Sequence, residues 1–310
     1  MSLSSPRNAG GVGAWLTLMR VSNSPTVVTN VLAGIAVGLQ ARLSTIDVPL
    51  GQTLLVLFGI VLVYLAGMVL NDAFDARIDA RERPGRPIPS GRISVGRAMV
   101  AGFAMLGVGT ATLAVASPAT AWWALALAAF VVLYDLLHAL VPGGFLLMAA
   151  CRALVFVIAA LATSTGTDWA ILQWVAGGAF AYVAAVSLAA RDEVRGFGLL
   201  ARRASWALPV AACAPLGMWF AEGVAPEGAL SATLGVGAIA FAVVSVVGGI
   251  RTARNGAARF AVPAAVGSWI GAIPLVDAAT CFLLGRPLLG LLCLGLWGMA
   301  GALRPRFAAS

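Results

Sequence analysis

Lysine is absent from this chain of 310 residues, and histidine occurs once. Charged residues make up only 10% of the sequence against 61% apolar ones, and the mean hydropathy is +0.96. Soluble domains average about half apolar and about a quarter charged. So few charges cannot cover a water-soluble body of this size. That argues against a soluble enzyme, a disordered chain and a nucleic-acid-binding domain. Cysteine is scarce too: Cys151, Cys213, Cys281 and Cys293 form no CxxC pair, and one histidine cannot complete a zinc site with them. They read as small buried hydrophobes. No ten-residue run alternates with period two, so an outer-membrane barrel is disfavoured. A cleavable signal peptide is not expected, because Arg20 interrupts the first apolar run and no small-residue cleavage pattern follows.

What the sequence does have is long apolar runs. A membrane-crossing helix needs about 20 mostly apolar residues. Ten segments qualify as candidates, at about 15–39, 51–70, 97–116, 120–140, 144–162, 169–190, 204–221, 229–250, 260–284 and 287–303. The last two are the least separate, with only Gly285, Arg286 and Pro287 between them. The 36 glycines suit close helix packing in lipid. The expected architecture is a single all-α domain over 1–310, a polytopic bundle of nine to ten transmembrane helices around a central cavity open to lipid.

The net charge of +8 rests on arginine alone. With the N-terminus inside, one side collects Arg7, then Arg77, Arg81, Arg83, Arg86, Arg92 and Arg97. It also takes Arg191, Arg195, Arg202 and Arg203, then Arg251, Arg254 and Arg259, and finally Arg304 and Arg306. The other side holds Arg42 and Arg286, while Arg20 and Arg152 fall within spans. Lys/Arg-rich loops face the cytoplasm. This predicts an N-in protein of a bacterial-type inner membrane.

Three of the eight Asp lie close together in Asn71-Asp72-Ala73-Phe74-Asp75-Ala76-Arg77-Ile78-Asp79. Spacings of three and seven put Asp72, Asp75 and Asp79 within about 60° of one helical face. Like charges on one face repel, and a hard divalent cation gives the arrangement a reason. Mg²⁺ prefers carboxylate oxygens and shares its shell with substrate phosphates. Arg83-Pro84-Gly85-Arg86-Pro87-Ile88-Pro89-Ser90-Gly91-Arg92 follows. Guanidinium groups match phosphate oxygens, and the prolines stiffen the loop. Metal ligands, phosphate ligands and an apolar body together point to a lipid diphosphate. The plainer alternative is a solvated helix end followed by arginines that only set topology.

The pattern Asn-Asp-x-x-Asp-x-x-x-Asp, then Arg-x-x-Arg-Pro-x-x-Ser-Gly-Arg, resembles the first signature of the UbiA-type intramembrane prenyltransferases. Leu18-Met19-Arg20 with Pro25 resembles that family's opening, and Tyr134 lies where it carries a Tyr-containing motif. Cys151-Arg152 and the Arg191–Gly196 stretch look most like its divergent EboC-type branch. The resemblance implies Mg²⁺-dependent transfer of a prenyl group from a prenyl diphosphate to an aromatic or other lipophilic acceptor. It implies Asp72 and Asp75 as catalytic metal ligands, Asp79 in support, and Asn71, Arg83, Arg86 and Arg92 against the diphosphate. Metal and arginines would stabilise the leaving diphosphate, and a dry cavity would protect the allylic cation.

The second Asp-rich motif of that family is not intact. Arg191-Asp192-Glu193-Val194-Arg195 stands there, and adjacent acids point about 100° apart on a helix. Asp192 or Glu193 can still supply a metal ligand, with Arg191 and Arg195 neutralising phosphate. A binding protein or transporter for an isoprenoid or lipid diphosphate on the same bundle is the alternative. A phosphatidyl-type alcohol phosphotransferase ranks below both, since its Asp-Gly-x-x-Ala-Arg pattern is absent. Tyr134 is a candidate for stabilising an allylic cation through its π face, or an interfacial belt residue. Arg152 is a mid-span charge and so a candidate substrate ligand, or a structural partner of Asp135 or Asp277. Asn23 and Asn30, seven apart, are candidates to line the cavity, or to bond between helices. His138 reads as a surface or capping residue, and Arg20 as one that snorkels to the interface. The sequence leaves acceptor, chain length and oligomeric state open.

Overall fold

A computed structural model describes residues 11–40, 50–138, 140–164, 166–191, 198–224, 226, 228–255 and 261–307. Among these residues regular structure is entirely helical. A short helix α1 (Val12–Leu18) leads through a 3₁₀ turn (Val21–Asn23) into α2 (Ser24–Gln40). Then come α3 (Leu50–Phe74), a one-residue break, and α4 (Ala76–Glu82). After the proline-rich loop follow α5 (Val95–Ala116), α6 (Ala121–Leu137), α7 (Gly144–Thr163) and α8 (Trp169–Arg191). The second half has three short helices, α9 (Leu199–Ala204), α10 (Ala207–Ala212) and α11 (Ala214–Ala221). It ends with α12 (Gly228–Asn255), α13 (Ala261–Leu283) and α14 (Pro287–Phe307).

Among the described residues seven helices are long and apolar enough to cross a membrane: α3, α5, α6 with the 3₁₀ turn before it, α7, α8, α12 and α13. Leu199–Ala221 makes an eighth span if its pieces, bent by 43° at Cys213, count as one. The 17-residue α2 and the apolar part of α14, Pro287–Ala302, are shorter. The first expected span, about 15–39, is the one that changes: it is split in two. Arg20 takes a left-handed backbone conformation (φ 46°) and ends α1. It is the only non-glycine residue with positive φ among the described ones.

Packing joins two halves. One core lies between α2, α3, α5, α6 and α7, with Ile35, Ile60, Leu70, Leu113 and Ile158 buried in it. The other half gathers α8 and α10 to α13 around Trp269, whose indole N–H donates to the Val246 carbonyl (3.1 Å). Helix α2 bridges the halves, packing on α7, α13 and α14. It meets α7 through Gly34 and Gly38, a Gly-x-x-x-Gly pair that lets two backbones approach closely. A methyl at Gly38 would stand 2.5 Å from the Ala160 carbonyl and nearer still to Thr163 Oγ1. Large apolar side chains such as Val100, Val115, Trp122, Phe220 and Val244 remain exposed on the outside. Lipid, not water, suits such a surface. All four cysteines are free, as expected.

The two ends of the bundle differ. Arg286 donates to the Leu39 carbonyl (2.9 Å), and Gln40 donates to the Leu284 carbonyl, which ties α2 to the α13–α14 turn. The opposite end collects the C-termini of α3 and α6 and the N-termini of α2 and α7, and there the polar groups gather.

Candidate active site

Helix α3 has 25 residues, and about 20 suffice to cross the hydrocarbon core. Its last turn, with Asn71 and Asp72, therefore stands at the boundary between lipid and water. The chain breaks at Asp75 (φ −80°, ψ 1°) and restarts as α4. This break corrects the expected single acidic face. Asp72 and Asp79 turn to one cation, whereas Asp75 turns to another on a different helix.

Arg86 is the shared cation. Its Nη1 donates to Asp79 Oδ2 at 2.6 Å and to Asp72 Oδ1 at 3.3 Å. Arg20 Nη2 donates to the same Asp72 oxygen at 2.9 Å. The strained backbone of Arg20 is held by several bonds at once: its N–H donates to the Thr17 carbonyl and its own carbonyl accepts from the Tyr64 hydroxyl (3.4 Å). Non-glycine residues persist in that conformation only where surroundings over-determine them, often at functional sites. Arg86 is placed by a loop that is polar by composition but anchored by two apolar side chains. Ile88 and Ile93 are buried against Leu18, Val69, Ala73 and Ala98. Arg92 braces the loop from within, donating from Nη2 to the Gly85 carbonyl (2.7 Å) and from Nε to Ser90 Oγ.

Asp75 meets His138, at the end of α6. His138 Nε2 lies 3.2 Å from Asp75 Oδ2, and Nδ1 lies 3.1 Å from the Tyr134 carbonyl. Both ring nitrogens thus face oxygen acceptors, and only the imidazolium can donate to both. The hydrogen bond to Asp75 raises the His138 pKa above its ordinary value against the opposing effect of burial. The Tyr134 and His138 rings stack with centroids 5.0 Å apart. Asn71 Nδ2 donates to Asp135 Oδ1 at 3.2 Å, a second link between α3 and α6.

From this end a cavity of about 250 Å³ runs into the bundle. Arg20, Asn23, Tyr134 and Asp135 line its polar part, and Ile60, Val63, Leu127, Val131, Val155 and Ile270 belong to its apolar wall. Asn23 lines it from the 3₁₀ turn rather than from a helix. Arg152 also lines it, and donates from Nη1 to Asn30 Oδ1 at 2.5 Å. Asn30 Nδ2 in turn donates to Asp277 Oδ2 (2.7 Å), which also accepts from Thr29 Oγ1 (2.6 Å). Asn30 therefore relays between a buried arginine and a buried aspartate, rather than lining the main cavity. It lines a smaller one of about 30 Å³, together with Arg152 and Asp277.

Of the expected site residues, the structure gathers Asn71, Asp72, Asp75, Asp79, Arg86 and Tyr134 at one end of one cavity. Arg83 lies at the C-cap of α4 beside them. Asp192, Glu193 and Arg195, and the side chain of Arg191, lie outside the described residues. Among the described residues no three of His, Cys, Asp and Glu are grouped to hold a metal ion. Sequence reasoning undervalued Arg20, His138 and Asp135. A usable signal was present: two are charges in apolar runs, which mark function by default, and His138 lies one turn from Tyr134.

The model of the UbiA prenyltransferase family matches residues 27–258. The chain belongs to that family. A digeranylgeranylglyceryl phosphate synthase of Methanoregula boonei is 36% identical over 124 residues, which are 40% of this chain and 42% of that relative's length. The matched segment thus spans about two fifths of the curated relative. In fold, a UbiA homologue from Aeropyrum pernix superposes with a TM-score of 0.62 at 18% identity, over 82% of this chain and 96% of that one. A UbiA homologue from Archaeoglobus fulgidus bound to GPP and Mg²⁺ gives 0.53 at 15% identity, over 86% of this chain and 99% of that one. Like its family, this chain is an integral membrane protein.

Proposed function

We propose that residues 1–310 act as one Mg²⁺-dependent prenyltransferase, which moves a prenyl group from a prenyl diphosphate to a hydroxyl of a lipophilic glycerol phosphate. The observation that carries this reading is the 250 Å³ cavity, whose apolar wall ends at the Asp72, Asp79, Arg20 and Arg86 cluster. An apolar tail with a diphosphate head needs that juxtaposition. The relative's name denotes a glyceryl phosphate bearing two geranylgeranyl groups, and adding the second consumes a glycerol hydroxyl. That favours such an alcohol over an aromatic acceptor.

The donors fit Mg²⁺ in kind, since all are oxygens. Because no three described acids converge, the ion would take one or two of Asp72, Asp75 and Asp79, and fill its shell with water and diphosphate oxygens. Asp192 and Glu193 remain proposed as further ligands. When bound, Mg²⁺ supplies positive charge against the departing diphosphate. Arg86 supplies more beside it, with Asn71, Arg83, Arg191 and Arg195 as proposed partners. Arg92 acts by bracing the loop. The apolar wall holds the chain and excludes water. The Tyr134 ring, and that of Tyr64 beside the same cavity, offer π faces to an allylic cation, worth about 0.5–2 kcal/mol each. Asn23 and Arg152 border the same space on the acceptor's side of the proposal. The arginine distribution supports a cytoplasmic position for this end, in a bacterial-type inner membrane.

The test is turnover of GPP and of geranylgeranyl diphosphate by the purified protein in nanodiscs, with and without Mg²⁺. Mg²⁺-dependent diphosphate release and acceptor alkylation, both lost in Asp72→Ala and Asp75→Ala, support the transferase. Tight binding without turnover on any acceptor supports a carrier instead.

A further inference from the structure

Asp135 stands on the last turn of α6 and is 4% exposed. Its Oδ2 has no hydrogen-bond partner. Among the described residues the only other buried side-chain nitrogen or oxygen atoms in that condition are Thr167 Oγ1 and Arg286 Nε. Of the three residues, only Asp135 lines the central cavity. Buried polar atoms are nearly always satisfied, so an exception calls for a reason. The other acids of the cluster have theirs: Asp72 and Asp79 are paired with arginine and Asp75 with His138. Asp135 takes part in none of these ion pairs. Its Oδ1 is held by the Asn71 amide. One oxygen is thus fixed by the residue next to Asp72, and the other is left for whatever enters the cavity. That placement lies between the diphosphate end and the apolar wall, where an acceptor's nucleophile must meet the prenyl carbon.

We propose that Asp135 is the catalytic base for the acceptor, taking the proton of an alcohol through Oδ2. The proposal rests on the transferase reading above. In the step, the bond from prenyl C1 to the diphosphate oxygen breaks and its electron pair leaves with the diphosphate. The acceptor oxygen forms a new bond to C1. Its proton passes to Asp135 and from there to water once diphosphate has gone. No oxidant or further reactant is needed. An acceptor of this kind is a neutral alcohol, whose hydroxyl gains nucleophilicity only as its proton is taken.

The experiment uses the full chain in nanodiscs with Mg²⁺, geranylgeranyl diphosphate and geranylgeranylglyceryl phosphate. Asp135→Asn keeps the shape and removes the base. Its kcat is expected to fall about 100-fold or more, the usual worth of general base catalysis, with KM for the prenyl diphosphate little changed. A second acceptor, fluorinated next to the hydroxyl and therefore more acidic, is expected to shrink that defect, because a more acidic alcohol needs less help. Turnover of Asp135→Asn close to wild type overturns the proposal, and so does a defect equal on both acceptors. A variant that misfolds, or that no longer binds GPP, assigns the carboxylate to the scaffold or the diphosphate end, and also overturns it. Wild-type protein that alkylates no acceptor sinks the transferase reading itself, a result distinct from these.

Discussion

Replacing Arg86 with glutamine is expected to destabilise the metal-free protein by about 3 kcal/mol. The magnitude follows from what each carboxylate keeps. Asp79 Oδ2 lies 2.6 Å from the Arg86 guanidinium, with the two side chains 5% and 17% exposed. No other described cation is bonded to it. Removing one partner of a buried pair costs about 3–5 kcal/mol, because the charge left behind is desolvated and unmatched. Asp72 loses a 3.3 Å contact but keeps Arg20 at 2.9 Å. The Arg20 side chain is 36% exposed, so its contact is screened and contributes about 1 kcal/mol or less. The loss therefore centres on Asp79, and the lower part of the range applies. Arg86→Lys should fall between, since a single ammonium does not offer a fork to two carboxylates. Adding Asp79→Asn to Arg86→Gln removes the stranded charge and should restore about 2 kcal/mol. Unfolding in bicelles, monitored by circular dichroism without Mg²⁺, reads all three. An Arg86→Gln protein as stable as wild type, or a double variant with no recovery, would refute the view that charge pairing holds this cluster.

Three further outcomes can be checked with the same preparation. Gly38→Ala should cost about 1–3 kcal/mol, because its methyl meets the α7 backbone. Gly237→Ala, exposed on α12 with nothing within 4 Å of the added methyl, should gain about 0.5–1 kcal/mol; the reverse order would show that α2 and α7 do not pack as described. The His138 pKa is raised by its bond to Asp75. Its stabilisation is therefore fully present below about pH 6.5, the ordinary histidine value, and is lost as pH rises through the raised one. Unfolding followed from pH 5 to 9 should show this slope in wild type and not in His138→Gln; a slope that persists assigns it elsewhere. Asn30→Leu should destabilise by about 3 kcal/mol or more, since Arg152 and Asp277 both lose a buried bond. Little change would mean that the relay is dispensable.

Much of the site was legible because its residues are consecutive. Asn71 to Asp79 and Arg83 to Arg92 are local patterns, and charge in an apolar chain is conspicuous. What local spacing misjudged was direction. A continuous helix would align Asp72, Asp75 and Asp79, but the break at Asp75 lets His138 draw one acid away while Arg86 gathers the other two. His138 and Asp135 gained their meaning only from where α6 ends beside α3, and Arg152 from the asparagine of α2 that faces it.

By itself the amino-acid sequence determined the solvent, the helical class and the end of the bundle at which the polar chemistry gathers. Composition and runs of 20 apolar residues answer to the bilayer, whatever the packing. Tertiary structure alone decided which cation each carboxylate faces, that Arg20 joins the cluster from a strained turn, and that one oxygen of Asp135 is left open to the cavity. Those outcomes depend on contacts between residues 52 to 64 positions apart, such as Arg20 with Asp72 and Asn71 with Asp135. No local period encodes such distances; helix packing sets them.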